Sequence, residues 1–105
     1  MPQVQWSTMG EADLEDIVVY VSEKARRRKT AQRIYADIRK KCELYAGQPL
    51  LGQLLPELGQ SYRSFVHKRW LIIYQPRNYG IEVYAVLDSS RDFAEFFRRR
   101  TGIGG

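Results

Sequence analysis

The apolar residues of this chain follow two different rhythms. Between Tyr62 and Asp92 they come in short, dense runs: Tyr62-Arg63-Ser64-Phe65-Val66, Trp70-Leu71-Ile72-Ile73-Tyr74 and Ile81-Glu82-Val83-Tyr84-Ala85-Val86-Leu87. β-Branched and aromatic side chains dominate all three and suit the pleated, half-buried surface of a strand. His67-Lys68-Arg69 and Gln75-Pro76-Arg77-Asn78-Tyr79-Gly80 separate them, gaps short enough for hairpins. Asn78 and Gly80 can supply the positive φ that tight turns need. The pattern predicts a three-stranded antiparallel meander whose continuously apolar middle strand is buried on both faces.

Upstream the spacing changes to threes and fours. Gln3-Val4-Gln5-Trp6 alternates like a short strand, which Pro2 assigns to a sheet edge. Thr8-Met9-Gly10-Glu11 reads as a capping box, followed by Leu14, Ile17, Val18, Tyr20 and Val21 on one apolar helix face ending near Lys24-Ala25. A second helix is predicted over Thr30–Tyr45. Its core stripe is Ala31, Ile34, Tyr35, Ile38, Cys42 and Tyr45, with Gly47 and Pro49 stopping it. About five residues join the two, so they form an antiparallel hairpin able to cover one sheet face. The leucines of residues 50–58 are expected to seal one end of the core. Arg91 to Arg100 reads as a short last helix with Phe93, Phe96 and Phe97 on one side, and residues 101–105 as a frayed tail.

These elements make an α+β fold: an N-terminal edge strand, an antiparallel helix hairpin on a largely antiparallel sheet, a C-terminal meander and a short C-terminal helix. At 105 residues the chain has room for one core, so a single domain over 1–105 is expected. Cys42 is the only cysteine, which excludes an internal disulfide and favours a reducing, cytoplasmic setting. Its place within the helix stripe fits a small buried hydrophobe better than a nucleophile. The longest apolar runs are too short to cross a bilayer, so no membrane role is expected.

Charge is unevenly distributed. Residues 1–23 hold five acids and no Lys or Arg, whereas residues 24–41 hold nine Lys or Arg against Asp37 alone. Such a basic segment suits nucleic acid or an acidic protein, and it also suits a solvated loop and helix face. Chemistry is harder to find. No glycine cluster joins a strand to a helix, His67 and Cys42 cannot make a metal site by themselves, and no serine–histidine–aspartate set can be assembled. His67 falls in a predicted hairpin turn, where exposure is expected. Catalytic residues and cofactors are therefore both read as none.

The order of elements and four local motifs resemble the ParE branch of the RelE/ParE superfamily of toxins from type II toxin–antitoxin modules. The motifs are Ala12-Asp13-Leu14 with Ile17 and Tyr20; Pro56-Glu57-Leu58-Gly59 with Tyr62-Arg63-Ser64-Phe65; Arg69 to Tyr74; and Gly80 to Val83 continuing through Val86-Leu87 to Arg91-Asp92. Ala85 and Asp88 depart from the arginine and histidine that often close the last strand in that branch. The ribonuclease branch has cations or a tyrosine where this chain has Leu71, Ser89 and Glu95. The resemblance implies a toxin that binds and inhibits DNA gyrase without catalysis. Its neutralising partner would be a cognate ParD-like antitoxin, and operator DNA would be met only through that antitoxin. It assigns Arg26, Arg27, Arg28, Arg33, Lys40 and Arg63 to the antitoxin, and Arg91, Phe93, Phe96, Phe97, Arg98, Arg99 and Arg100 to the target. Ribosome-dependent cleavage of messenger RNA, as in RelE, is the alternative.

Overall fold

The computed structural model describes residues 1–59 and 61–101. Strand β1 (Gln3–Trp6) leads into helix α1 (Thr8–Val19), whose last turn widens into a π-helical turn over Tyr20–Lys24. Helix α2 (Arg28–Gly47) returns antiparallel to it. Then come β2 (Gln53–Leu54), a 3-10 turn at Pro56–Leu58, β3 (Arg63–His67), β4 (Trp70–Arg77), β5 (Gly80–Asp88) and α3 (Phe93–Thr101). The predicted α+β architecture is the one observed, and the rest of the expected tail, residues 102–105, lies outside the described residues.

One five-stranded sheet runs in the order β1-β5-β4-β3-β2. All its pairings are antiparallel except β1 with β5, where Gln3 meets Gly80 and Trp6 meets Val83. Gly80 has φ +147°, and a side chain there would run into the backbone of Gln3, so this strand crossing depends on its missing Cβ. The helix hairpin packs Leu14, Ala31, Ile34, Ile38 and Cys42 on Phe65, Ile72, Tyr74, Val83 and Val86. Tyr45 stacks on Phe65 at 4.1 Å between ring centroids. The opposite sheet face carries Tyr62, Leu71, Ile73, Ala85 and Leu87, covered by Leu55 and by Phe97 of α3.

The last two strands step out of register between Ile73 and Tyr74: Ile73 pairs with Ala85 while Tyr74 pairs with Val83. Tyr84 is the extra residue of this bulge. Simple alternation would put Ala85 on the helix face with Val83. The bulge instead places Tyr84 and Ala85 together on the α3 face and returns Val86 to the helix face.

Several expectations are corrected. The α1 cap is Ser7, not Thr8: Ser7 Oγ accepts from the Gly10 amide at 3.0 Å, while the Ser7 amide extends the sheet ladder to the Val83 carbonyl. Tyr20 is not on the packed face. The π turn, closed by the Ala25 amide on the Tyr20 carbonyl, leaves Tyr20 60% exposed. The segment Gln75–Gly80 is not a loop, because β4 runs to Arg77 and a two-residue turn suffices. Pro76 is tolerated there since β3 has already ended opposite Tyr74, so β4 has lost that neighbour.

Of the connector leucines Leu55 is buried and Leu58 packs partly buried against the same cluster, while Leu50, Leu51 and Leu54 are exposed. The backbone is what anchors this segment: Tyr74 Oη donates to the Pro49 carbonyl at 2.7 Å and accepts from the Gly52 amide at 3.0 Å. His67 lies within β3, its side chain only 12% exposed, 3.8 Å from Asp37. Among the described residues no helix is long and apolar enough to cross a membrane.

Candidate functional site

A large open groove of about 1080 Å³ lies where the helix hairpin meets the far end of the sheet. Its floor is apolar: Ile17 and Val21 from the first helix, Ile34 from α2, Trp70 at the start of β4 and Val86 from β5. Its rim mixes charges: Arg27 on the hairpin turn, Lys68 and Arg69 on the β3–β4 turn and Arg91 after β5 stand with Asp16 of α1 and with Asp88, which Arg69 already pairs. Exposed Tyr20 stands at its side. A volume above the usual range for small-ligand pockets, and its openness to solvent, suit a segment of polypeptide.

Local sequence explains each wall. The π turn offers Tyr20 to the groove while Val21 stays buried. Lys68 takes positive φ (57°) so that β3 can reverse into β4 in two residues. Asp88 fixes the next corner. It accepts from the Ser90 amide at 2.9 Å, from the Ser90 hydroxyl at 2.8 Å and from Arg69 Nε at 2.8 Å. These Ser90 bonds first, and then Arg69, hold its carboxyl well below the usual range, at about 2. A second Arg69 nitrogen, Nη2, also meets Asp88, so the aspartate in the departing position organises the turn through the arginine before β4.

At the groove's far end Arg100 grips Asp13 through two bonds of 2.7 Å. Asp13 Oδ2 also accepts from the Val86 amide at 3.0 Å, and Arg100 donates to the Tyr84 carbonyl at 3.1 Å. One carboxylate thus joins α1, β5 and α3.

The predicted site residues fall into three groups. Arg27 lines the groove and Arg26 and Arg28 flank it on the hairpin turn, whereas Arg33 and Lys40 lie exposed along the outer side of α2. Arg63 is turned inward: its Nη1 donates to the carbonyls of Gly52 (2.8 Å) and Leu50 (3.1 Å). Arg91, on the turn before α3, and Arg98 and Arg99 on α3 are exposed; Arg91 lies over the Phe96 ring, and Glu95 accepts from both Arg98 and Arg99 at 2.9 Å. Phe93 and Phe96 are partly covered, Phe97 is in the core and Arg100 faces Asp13.

Sequence reasoning missed the groove itself, and with it Lys68, Arg69 and Trp70 as neighbours of Tyr20. The one available signal was Tyr20 within the first-helix motif. Sequence reasoning also missed a polar group on the α3 face, where Arg77 bonds Glu82 at 3.1 Å and the Tyr84 hydroxyl at 2.7 Å. There a carboxylate already occupies the guanidinium, which leaves that cation little capacity to stabilise a phosphate. Cys42 is fully buried, and burial pushes its thiol up to about 12, which removes it from nucleophilic chemistry.

Comparison with known proteins supports this fold. Among solved structures the chain is similar to one described as "Chromosomal ParDE TA system from P. aeruginosa", with a TM-score of 0.60 and 18% identity over 84% of this chain and 96% of that one. At that identity the likeness shows the fold. No curated protein matches the chain. The family model described as "ParE toxin of type II toxin-antitoxin system, parDE" matches residues 4–93. That match covers both helices of the hairpin, β1 from Val4 and the other four strands, and the chain belongs to the ParE toxin family of type II toxin–antitoxin systems.

Proposed function

We propose that this ParE-family toxin inhibits DNA gyrase by binding it, and that a ParD-like antitoxin neutralises it by laying an acidic, amphipathic segment in the groove. One observation carries the second half of this reading: an apolar floor and an exposed tyrosine stand beside Arg27, Lys68 and Arg91, none of them in an ion pair among the described residues. A helix or extended segment with apolar residues on one side and carboxylates on the other matches that surface. Arg26 and Arg28 extend the same rim. Gyrase is met through the outward side of α3 and the turn before it, where exposed Arg91, Arg98 and Arg99 accompany the partly exposed rings of Phe93 and Phe96.

Binding rather than catalysis is supported by three positions. Leu71 is buried, Ser89 carries no charge, and Glu95 is engaged by Arg98 and Arg99 where the ribonuclease branch has its reactive side chains. The test is a supercoiling assay with purified gyrase. Supercoiling falls as toxin is added, and it recovers when antitoxin is supplied in equal amount. Undiminished supercoiling at toxin excess, together with cuts at ribosomal A sites in translated messages, would replace this reading with the RelE-like one.

A further inference from the structure

Nine of the seventeen Lys and Arg side chains have a partner inside the fold, Arg91 over the Phe96 ring among them. Arg39 lies over the rings of Trp6 and Tyr35, and Lys41 donates to the Val66 carbonyl. Arg63, Arg69, Arg77, Arg98, Arg99 and Arg100 are held by carbonyls or carboxylates. Apart from Lys68, the described cations with no hydrogen bond, ion pair or ring contact all lie between Lys24 and Lys40.

Within that stretch the helix geometry sorts the charges. Ala31, Ile38 and Cys42 mark the buried line of α2, and Arg39 and Lys41 flank it. Lys29, Arg33, Ala36 and Lys40 form the opposite line, and all four are exposed. At 1.5 Å per residue the three cations span about 16 Å on a rigid rod. Asp37, one turn from both Arg33 and Lys40, stands to one side of the line and approaches His67.

This arrangement does nothing for the fold. Lys29 and Arg33 are like charges one turn apart, where a Glu–Lys pair would stabilise. The first turn of α2 has no acidic residue, so Arg28 and Lys29 also oppose the positive end of the helix.

We infer that this outer ridge of α2 is a contact surface for the phosphate backbone of duplex DNA, independent of sequence. The chemistry of the ridge selects that partner over others. A protein interface needs an apolar or aromatic centre, and the ridge has only Ala36 there. Single strands are held by stacking on aromatic side chains, which the ridge lacks. A duplex presents about one charge per 1.7 Å, so each long cation of a straight row has phosphates within reach. Ala36 lets the helix lie close to the backbone. DNA is then met directly as well as through an antitoxin, and this holds whether or not gyrase is the target.

The test is fluorescence anisotropy of the whole chain with a labelled 20-base-pair duplex of arbitrary sequence. Contact with about three to four phosphates gives a log–log salt slope of about −2.7 to −3.6, or about a 40- to 150-fold loss between 50 and 200 mM salt. Arg33→Gln with Lys40→Gln shallows the slope by about 2. Arg98→Gln with Arg99→Gln, which removes equal charge from the other side of the sheet, shifts it far less. Equal losses in the two double variants, or a flat salt dependence, overturn the inference. So does tighter binding to the single strand, or to a polyglutamate peptide of matched charge, than to the duplex.

Discussion

Asp13 and Arg100 stand 87 positions apart in the chain, and their side chains meet through two hydrogen bonds of 2.7 Å. Both are largely buried, at 12% and 15% exposure. Removing one member of such a pair leaves the other charge stranded and costs about 3–5 kcal/mol. Asp13→Ala should cost more than Arg100→Met, because the Val86 amide loses its acceptor as well. Replacing both together by Leu and Met should recover most of the loss. Denaturant melts of the three variants decide this, and losses below about 0.5 kcal/mol would assign the pair no structural role.

Tyr20 is exposed, so Tyr20→Asp should leave folding stability within about 0.5 kcal/mol of the parent. In the groove the same change sets a carboxylate against an acidic partner segment. Antitoxin binding should weaken by at least about 2 kcal/mol, or about 30-fold, by calorimetry. Unchanged affinity would move the antitoxin to another surface.

His67 links stability to pH. Burial first, then neighbouring Lys41, lowers its folded-state value below 6.5, against the opposing pull of Asp37. The unfolded chain therefore takes up the proton first. The stability that comes from neutral His67 is complete above pH 6.5 and declines as pH falls from there toward the lowered folded value. Asp37→Asn should lower the value further, and Lys41→Gln should raise it. Proton NMR of the single histidine reads both shifts directly.

The thiol of Cys42, pushed to about 12 by burial, should resist disulfide-exchange reagents at pH 8 until the protein unfolds. Cys42→Ser places a hydroxyl among Ala31, Ile38 and Ile72 of the same core and should cost about 1–3 kcal/mol. Rapid labelling of native protein would show that the α2 stripe opens.

Much of the architecture was legible because local spacing reports it. The three-four stripe defined α2, with Ala31, Ile34, Ile38 and Cys42 in its buried line but Tyr35, expected there, exposed, and the β-branched run of Trp70 to Tyr74 defined the sheet centre. The basic character of residues 24–41 was equally plain. Boundaries failed where a neighbour decided them. Ser7 caps α1 because the ladder to β5 ends there, and Pro76 stays in β4 because β3 stops short of it.

The groove was illegible for the same reason. Tyr20, Lys68 and Arg91 are distant in sequence, and nothing in their spacing says that the hairpin, the β3–β4 turn and the end of β5 share one edge. The sequence by itself determined which residues are apolar, how often they recur and where positive charge accumulates, because these are properties of single residues and of one turn or pleat. Only the tertiary structure decided which cations are consumed by the fold and which stay free, as Arg63 and Arg100 against Arg33 and Lys40 show. An ion pair depends on distance in space, and the chain sets that distance only by packing.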